Sequence, residues 1–101
     1  MTSTLPPLTE KRLQALVEDA LTQLGWLYFH PRYSIRSVPG WPDIFALRGP
    51  RALAIELKST TGTLTVHQAR WLDAFSQCPG IETYCWRPAD WLNGTVAETL
   101  Q

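Results

Sequence analysis

The sequence lacks several features that would assign it to a membrane, secreted or strongly charged class of protein. No window approaches the roughly 18 to 20 continuous apolar residues that a membrane-spanning helix requires. The N-terminal segment has no basic stretch followed by an apolar core and a small-residue cleavage site, so we expect a cytoplasmic protein. Nine basic and nine acidic residues give a net charge of zero, which removes the usual global signature of a nucleic-acid-binding protein.

Cysteine is also scarce, since Cys78 and Cys85 are the only two in the chain. No other cysteine or nearby histidine completes a zinc set, and we expect two free buried thiols instead of a disulfide or a metal pair. A chain of 101 residues can bury one modest core. We therefore predict a single domain over 1–101, in which 1–8 form a flexible lead-in.

Apolar periodicity predicts a mixed α/β arrangement with a central sheet. A first helix is expected between Thr9, which can act as its N-cap, and Gly25, which ends it. A second helix is expected at 66–77, and a shorter helical region within 88–100 contains a break near Asn93-Gly94. Strands are expected at 26–29, 44–47, 52–57 and 81–86, and the second and third form an antiparallel hairpin.

Three charged residues lie inside or beside the apolar strands of this hairpin: Asp43, Glu56 and Lys58. Alternation along a strand places Glu56 and Lys58 on the same face, and the hairpin brings Asp43 across from Glu56. Adjacent carboxylates repel and are costly to desolvate, so such a pair is typical of a divalent-cation site, here for Mg²⁺ or Mn²⁺. With an amine beside them, the carboxylates predict phosphodiester hydrolysis.

Each of these features has a simpler explanation when it is taken alone. An Asp after Pro commonly starts a turn, and Glu-x-Lys on one strand face is commonly an exposed ion pair. A hairpin with a purely structural role, in which Glu56 and Lys58 pair at the surface, is therefore an alternative hypothesis.

The segments Gly40-Trp41-Pro42-Asp43 and Glu56-Leu57-Lys58, followed by Gly62 and Gln68, resemble the VRR-NUC domain. These are the virus-type replication-repair nucleases of the PD-(D/E)XK superfamily. The resemblance implies a restriction-endonuclease-like α/β fold with a central mixed sheet flanked by helices. It also implies a metal-dependent DNA endonuclease in replication, repair or recombination, which acts on branched or junction DNA as a homodimer, in a bacterial or phage-infected cell.

The resemblance assigns roles to residues of the hairpin. Asp43 and Glu56 hold the cation, the backbone carbonyl of Leu57 adds a ligand, and Lys58 is the catalytic lysine. The expected cofactor is Mg²⁺ or Mn²⁺.

Two further candidates lie on the helices. Gln68 matches a glutamine that completes the active site, but its spacing from Thr65 also predicts a capping box, and the two roles compete for one side chain. Members of the superfamily often add an acidic residue from the first helix. Helical spacing places Glu10 on the extension of the apolar stripe and Glu18 opposite it, so Glu10 is the candidate, unless it only stabilises the first helical turn.

The irregular segment 30–40 and the start of the first helix are the predicted DNA contacts, because their hydroxyl and cationic groups can bind backbone phosphates. So few cations predict weak binding of duplex DNA by a monomer, which also favours a homodimer. The neutral charge favours an alternative hypothesis, a catalytically weak or inactive nucleic-acid-binding module with the nuclease fold. The candidate DNA-binding residues are His30, Arg32, Ser34, Arg36, Ser37, Lys11, Arg12 and Arg70.

Overall fold

The structure is a computed structural model that describes residues 7–31 and 38–101, and it contains one four-stranded sheet. The helices are α1 (Glu10–Gln23), α2 (Val66–Ser76), α3 (Pro88–Leu92) and α4 (Thr95–Leu100). The strands are β1 (Leu27–Phe29), β2 (Ile44–Arg48), β3 (Arg51–Leu57) and β4 (Ile81–Trp86). In the order β1-β2-β3-β4 the first two pairings are antiparallel and the third is parallel, which confirms the predicted mixed sheet.

Helix α1 begins where the sequence predicts, because Thr9 is extended and its Oγ1 accepts the N–H of Arg12 at 3.1 Å. Its apolar stripe buries Leu13, Val17 and Leu21 completely. Most of the expected flexible lead-in lies outside the described residues, but Leu8 packs against the core. Among the described residues, no helix is both long and apolar enough to cross a membrane.

Strands β2 and β3 form the predicted hairpin through a two-residue turn, Gly49-Pro50, in which Gly49 has a φ of +56°. A positive φ at the first turn position suits glycine and matches the twist of the paired strands. The register pairs Ile44 with Ile55 at the end of the hairpin away from the turn. The next residues beyond this pair are Asp43 and Glu56.

The two faces of β3 have different environments, as the alternation of its side chains requires. Leu53, Ile55 and Leu57 are fully buried in the core that also contains residues of α1 and α4. Ala54 and Glu56 project from the opposite face, which is covered by α2. Glu56 is the single charged side chain buried in the part of the chain that the structure describes.

The segment before Asp43 is fixed against α2. Trp41 and Trp71 belong to an aromatic cluster with Phe45 and Phe75, in which ring centroids lie 5.2–6.3 Å apart. The indole N–H of Trp71 also donates to the carbonyl of Pro39 at 3.1 Å. These contacts hold the chain that leads into Asp43 against α2.

Gly40 makes this close approach possible. Its φ is +86°, and a Cβ at this position would lie 2.4 Å from the backbone carbonyl carbon and oxygen of His67. A side chain is therefore excluded both by conformation and by space.

The remaining elements follow the sequence with one exception. The predicted break at Asn93-Gly94 is confirmed, since Gly94 has a φ of +85° between α3 and α4. Both cysteines are free, as expected. The expectation of two buried thiols is wrong: Cys78 is exposed, because it lies in the turn beyond the end of α2, and Cys85 in β4 is only half-buried.

Candidate active site

The carboxylates of Asp43 and Glu56 lie together at the end of the β2–β3 hairpin. Asp43 is the residue before β2, and its Oδ2 accepts the backbone N–H of Leu57 at 2.7 Å. Hydrogen bonds to a carboxylate are shorter and stronger than neutral ones, so this contact fixes the orientation of the Asp43 side chain relative to β3.

Glu56 is buried, with 1% of its surface exposed. Its Oε1 accepts the amide N–H of Gln68 at 3.1 Å, whereas its Oε2 has no hydrogen-bond partner among the described residues. Burial, followed by the nearby Asp43 carboxyl, raises the pKa of Glu56 to about 8, although the Lys58 ammonium acts in the opposite direction. Without a bound cation, Glu56 therefore holds a proton at neutral pH.

This arrangement fits a hard divalent cation. A buried oxygen without a partner costs about 1–3 kcal/mol, and a cation between the two carboxylates would remove that cost together with their repulsion. Among residues 7–31 and 38–101 there is no group of three or more His, Cys, Asp or Glu side chains suited to a metal. A site with only two carboxylates suits Mg²⁺, which is commonly bound by one or two carboxylates and keeps several of its waters.

Gln68 completes the capping box of α2 and also contacts Glu56. Its Oε1 accepts the backbone N–H of Thr65 at 2.9 Å, and its backbone N–H donates to Thr65 Oγ1 at 3.1 Å, which completes the capping box. Its Nε2 simultaneously donates to Glu56. The expected competition is wrong, because the two ends of one amide face different partners.

Lys58 follows β3 and continues its pairing with β4, since its N–H donates to the carbonyl of Trp86 at 3.0 Å. Its side chain shares a face with Glu56 and lowers the pKa of that residue. In the described part of the chain the single salt bridge joins Arg51 and Glu82. The alternative hypothesis of an exposed Glu56–Lys58 ion pair is therefore wrong, because Glu56 is buried and makes no such contact.

The two acidic candidates of the first helix lie in different environments. Glu10 is exposed, and the structure does not bring it into a metal-binding group with Asp43 and Glu56. Glu18 is half-buried, and its Oε2 accepts the amide N–H of Gln14 at 3.3 Å. Helical spacing placed Glu18 opposite the apolar stripe, but its side chain lies on a half-buried flank beside Gln14.

His30, at the end of β1, contacts both α1 and the residue before β2. Its Nδ1 lies 2.7 Å from the backbone carbonyl oxygen of Asp43, and its Nε2 contacts the amide nitrogen of Gln14. Sequence reasoning missed Gln14, although its spacing of one helical turn from Glu18 indicates that the two share a flank of the helix.

Three of the other candidate DNA contacts are exposed residues of α1 and α2, namely Lys11, Arg12 and Arg70. A cavity of about 360 Å³, lined in part by Trp41, Asp43 and Gln68, opens beside the carboxylates. Four candidates lie outside the described residues: Arg32, Ser34, Arg36 and Ser37.

Arg87, which follows β4, supports the loop between Lys58 and α2. Its Nη1 donates to the carbonyls of Ser59 and Gly62 at 2.7 and 2.6 Å. No local sequence pattern identifies this role, because the partners lie 28 and 25 residues away in the chain.

Comparison with known proteins supports the fold. No protein-family model and no curated protein matches the sequence. A solved structure of a VRR_NUC domain superposes with a TM-score of 0.64 and 22% sequence identity, over 86% of this chain and 95% of that chain. The expected likeness to VRR-NUC domains and the expected nuclease-type α/β architecture are confirmed at the level of the fold: this chain has the fold of a VRR-NUC domain.

Proposed function

We propose that the protein is a Mg²⁺- or Mn²⁺-dependent deoxyribonuclease that hydrolyses phosphodiester bonds in DNA. The proposal rests on the buried carboxyl of Glu56, which lies beside Asp43. Its Oε2 has no hydrogen-bond partner among the described residues. Buried carboxyl pairs are unfavourable by themselves, and a divalent cation is the common reason that proteins contain them.

Each residue of the site has a proposed role. Asp43, Glu56 and the backbone carbonyl of Leu57 hold the cation. When bound, the cation polarises a phosphate oxygen and acidifies a water molecule. Lys58 orients the attacking water or neutralises charge that develops on the phosphoryl oxygens.

Glu56 must lose its proton before it can act as a ligand. Gln68 supports the ionised form, because its amide N–H donates to Oε1 and leaves Oε2 as the oxygen available for coordination. Metal affinity is therefore expected to increase with pH across the neutral range.

Phosphate contacts are proposed for the exposed cations Lys11, Arg12 and Arg70, together with the hydroxyl and guanidinium groups of Arg32, Ser34, Arg36 and Ser37. Glu10 is not included among the proposed ligands, because the structure does not group it with Asp43 and Glu56. The preference for branched or junction DNA, the cellular role in replication, repair or recombination and the cytoplasm of a bacterial or phage-infected cell also remain predictions, which rest on the VRR-NUC resemblance.

A homodimer is part of the proposal. The face of the sheet next to the edge strand β1 exposes Leu27, Phe29 and Leu47, with 73%, 62% and 43% of their surfaces accessible. Contiguous exposed apolar side chains commonly mark protein interfaces. Light scattering should give twice the monomer mass, and Phe29→Lys should shift the mass to that of a monomer if this face is the interface.

A cleavage assay tests the proposed activity. Supercoiled, linear and four-way-junction DNA are incubated with the protein in Mg²⁺, in Mn²⁺ and in a chelator. Wild type should cut only with metal, and Lys58→Ala and Asp43→Asn should each lose at least about 100-fold in rate. The control Asp73→Asn, which changes an exposed carboxylate of α2, should cut like wild type.

Two results would contradict the proposal. One is the absence of cutting on any of the DNA substrates, and the other is equal cutting by wild type and Lys58→Ala. DNA binding that survives Asp43→Ala, without cleavage by the wild type, would favour the alternative of a nucleic-acid-binding module with the nuclease fold.

A further inference from the structure

We propose that His30 is a positioning residue for the metal ligand Asp43 and that Gln14 fixes the orientation of its ring. The inference rests on the proposed function, because it assigns His30 to the support of the metal site instead of to DNA contact.

The contacts of His30 define its tautomer. A backbone carbonyl oxygen can only accept, so the Nδ1 that lies 2.7 Å from the Asp43 oxygen must carry the hydrogen. In the neutral ring Nε2 is then an acceptor, and it receives an N–H from the amide of Gln14. The same amide nitrogen donates to Glu18, which is consistent with this orientation of the Gln14 side chain.

His30 takes the place of a missing strand contact. The ladder between β1 and β2 ends at the pair Phe29 and Phe45, two residues before Asp43 is reached. The residue before Asp43 is Pro42, which has no N–H to donate. The imidazole bridges this gap, because it connects the end of β1 to the Asp43 carbonyl.

Asp43 is consequently held at two points, its backbone carbonyl and its carboxylate. His30 binds its backbone carbonyl, and the N–H of Leu57 binds its carboxylate. Groups that orient the residues of a metal site from outside its ligand shell commonly change metal affinity by 10–100-fold when they are removed. Both ring nitrogens of His30 already have internal partners, so a phosphate contact would require one of these hydrogen bonds to break.

This role is tested by substitutions that place an amide group at the position of one or the other ring nitrogen of His30. His30→Asn retains an N–H donor at the position of Nδ1, His30→Gln extends the amide toward the position of Nε2, and His30→Ala removes both. Mn²⁺ affinity is measured by titration calorimetry on folded proteins, as verified by thermal unfolding. We expect His30→Ala and His30→Gln to bind Mn²⁺ about tenfold more weakly or worse, and His30→Asn to recover most of the affinity.

The matched control is His67→Asn, since His67 is exposed and its side chain makes no hydrogen bond with the described residues. Its Mn²⁺ affinity should equal that of wild type. In cleavage assays, His30→Ala should lower kcat at limiting Mn²⁺, recover with excess Mn²⁺ and leave KM for DNA unchanged.

A second measurement does not require metal. Nitrogen-15 NMR of the metal-free wild type at alkaline pH should show His30 with its hydrogen on Nδ1. Hydrogen on Nε2 would overturn the inference, as would equal Mn²⁺ affinities for His30→Ala and wild type, or a raised KM for DNA as the sole effect. A wild-type protein that binds no Mn²⁺ would overturn the proposed function itself, which distinguishes the two failures.

Discussion

Gln68 joins Glu56 to the first turn of α2 through the two ends of one amide group. Its Nε2 donates to Glu56 Oε1 at 3.1 Å, and its Oε1 accepts the N–H of Thr65 at 2.9 Å. The capping box that starts the helix therefore also orients a side chain of the candidate active site, so that the position of α2 and the geometry of the carboxylate pair depend on each other.

The two contributions of Gln68 can be separated with Thr65. Thr65→Ala removes only the capping hydroxyl and should cost about 1 kcal/mol of stability, with cleavage and metal affinity retained. Gln68→Ala removes an acceptor at the cap and also the donor to Glu56, so we expect a similar loss of stability together with a cleavage rate at least about tenfold lower. Urea unfolding and DNA cleavage measure the two effects, and equal cleavage by both variants would contradict this assignment.

Glu56 should destabilise the metal-free protein as pH rises. Its pKa is raised from 4.5 to about 8 in the folded chain, so between these values the folded state binds a proton that the unfolded state does not. The stabilisation that this proton provides is complete below pH 4.5. It decreases as the pH rises toward 8, by at most about 1.4 kcal/mol per pH unit. Glu56→Gln removes this dependence, and in chelator at pH 8 it should unfold at a higher temperature than wild type.

Glu82→Gln is the control with the opposite sign. Arg51 binds Glu82 through two hydrogen bonds of 2.8 Å, and this contact lowers the pKa of Glu82 to about 2. The stabilisation is present above pH 4.5 and is lost as pH falls toward 2. Since both side chains are about one-third exposed, Glu82→Gln should cost only about 1 kcal/mol at pH 7.

A lower unfolding temperature for Glu56→Gln than for wild type at pH 8 would contradict the account of Glu56.

Gly40 should tolerate no side chain, in contrast to a glycine with similar backbone geometry. Gly25 has a φ of +79°, and a Cβ added there would have no atom within 4 Å, so Gly25→Ala should cost only about 1–2 kcal/mol for the left-handed conformation. Gly40→Ala adds a clash with the backbone of His67 and should cost several kcal/mol.

Metal affinity distinguishes the two glycine variants further. Displacement of Gly40 moves the segment that leads into Asp43, so Gly40→Ala should also weaken Mn²⁺ binding, whereas Gly25→Ala should not. If Gly40→Ala and Gly25→Ala lost equal stability in urea unfolding, the close approach of Gly40 to His67 would not contribute to the cost of a side chain at position 40.

Arg87 should stabilise the loop that follows Lys58. Its two hydrogen bonds to backbone carbonyls are made by a charged group, and such bonds contribute about 1.5–3 kcal/mol each. Arg87→Ala should therefore lower the free energy of unfolding and increase hydrogen exchange at the N–H of Gly62, which donates to Ser59 Oγ. Arg70→Ala, at an exposed position of α2, should change stability by less than about 0.5 kcal/mol. Unchanged exchange at Gly62 in Arg87→Ala would contradict this role.

Local sequence signals predicted the elements and part of the site. Thr9 and Thr65 marked the starts of two helices, and Gly49-Pro50 marked the hairpin turn. The alternation of side chains along a strand was sufficient to place Glu56 and Lys58 on one face, because a period of two leaves no other arrangement.

Contacts between distant segments were not predictable in the same way. Helical periodicity identified which stripe of α1 faces the core, but not that the neighbouring flank, through Gln14, would contact His30. The partners of His30 lie 16 and 13 residues away in the chain, and their contacts depend on how α1 packs against the sheet. The parallel pairing of β3 with β4 likewise depends on how α2, which connects the two strands in the chain, packs on the sheet.

The most direct test of the central claim is a titration of Mn²⁺ into the metal-free protein at pH 7. Heats are recorded in two buffers that differ in ionisation enthalpy, which gives the number of protons released on binding. Because Glu56 holds a proton at this pH, we predict that binding releases about one proton and that Glu56→Gln loses both the binding and the release. Absence of Mn²⁺ binding by the wild type, or identical titrations for wild type and Glu56→Gln, would contradict the account.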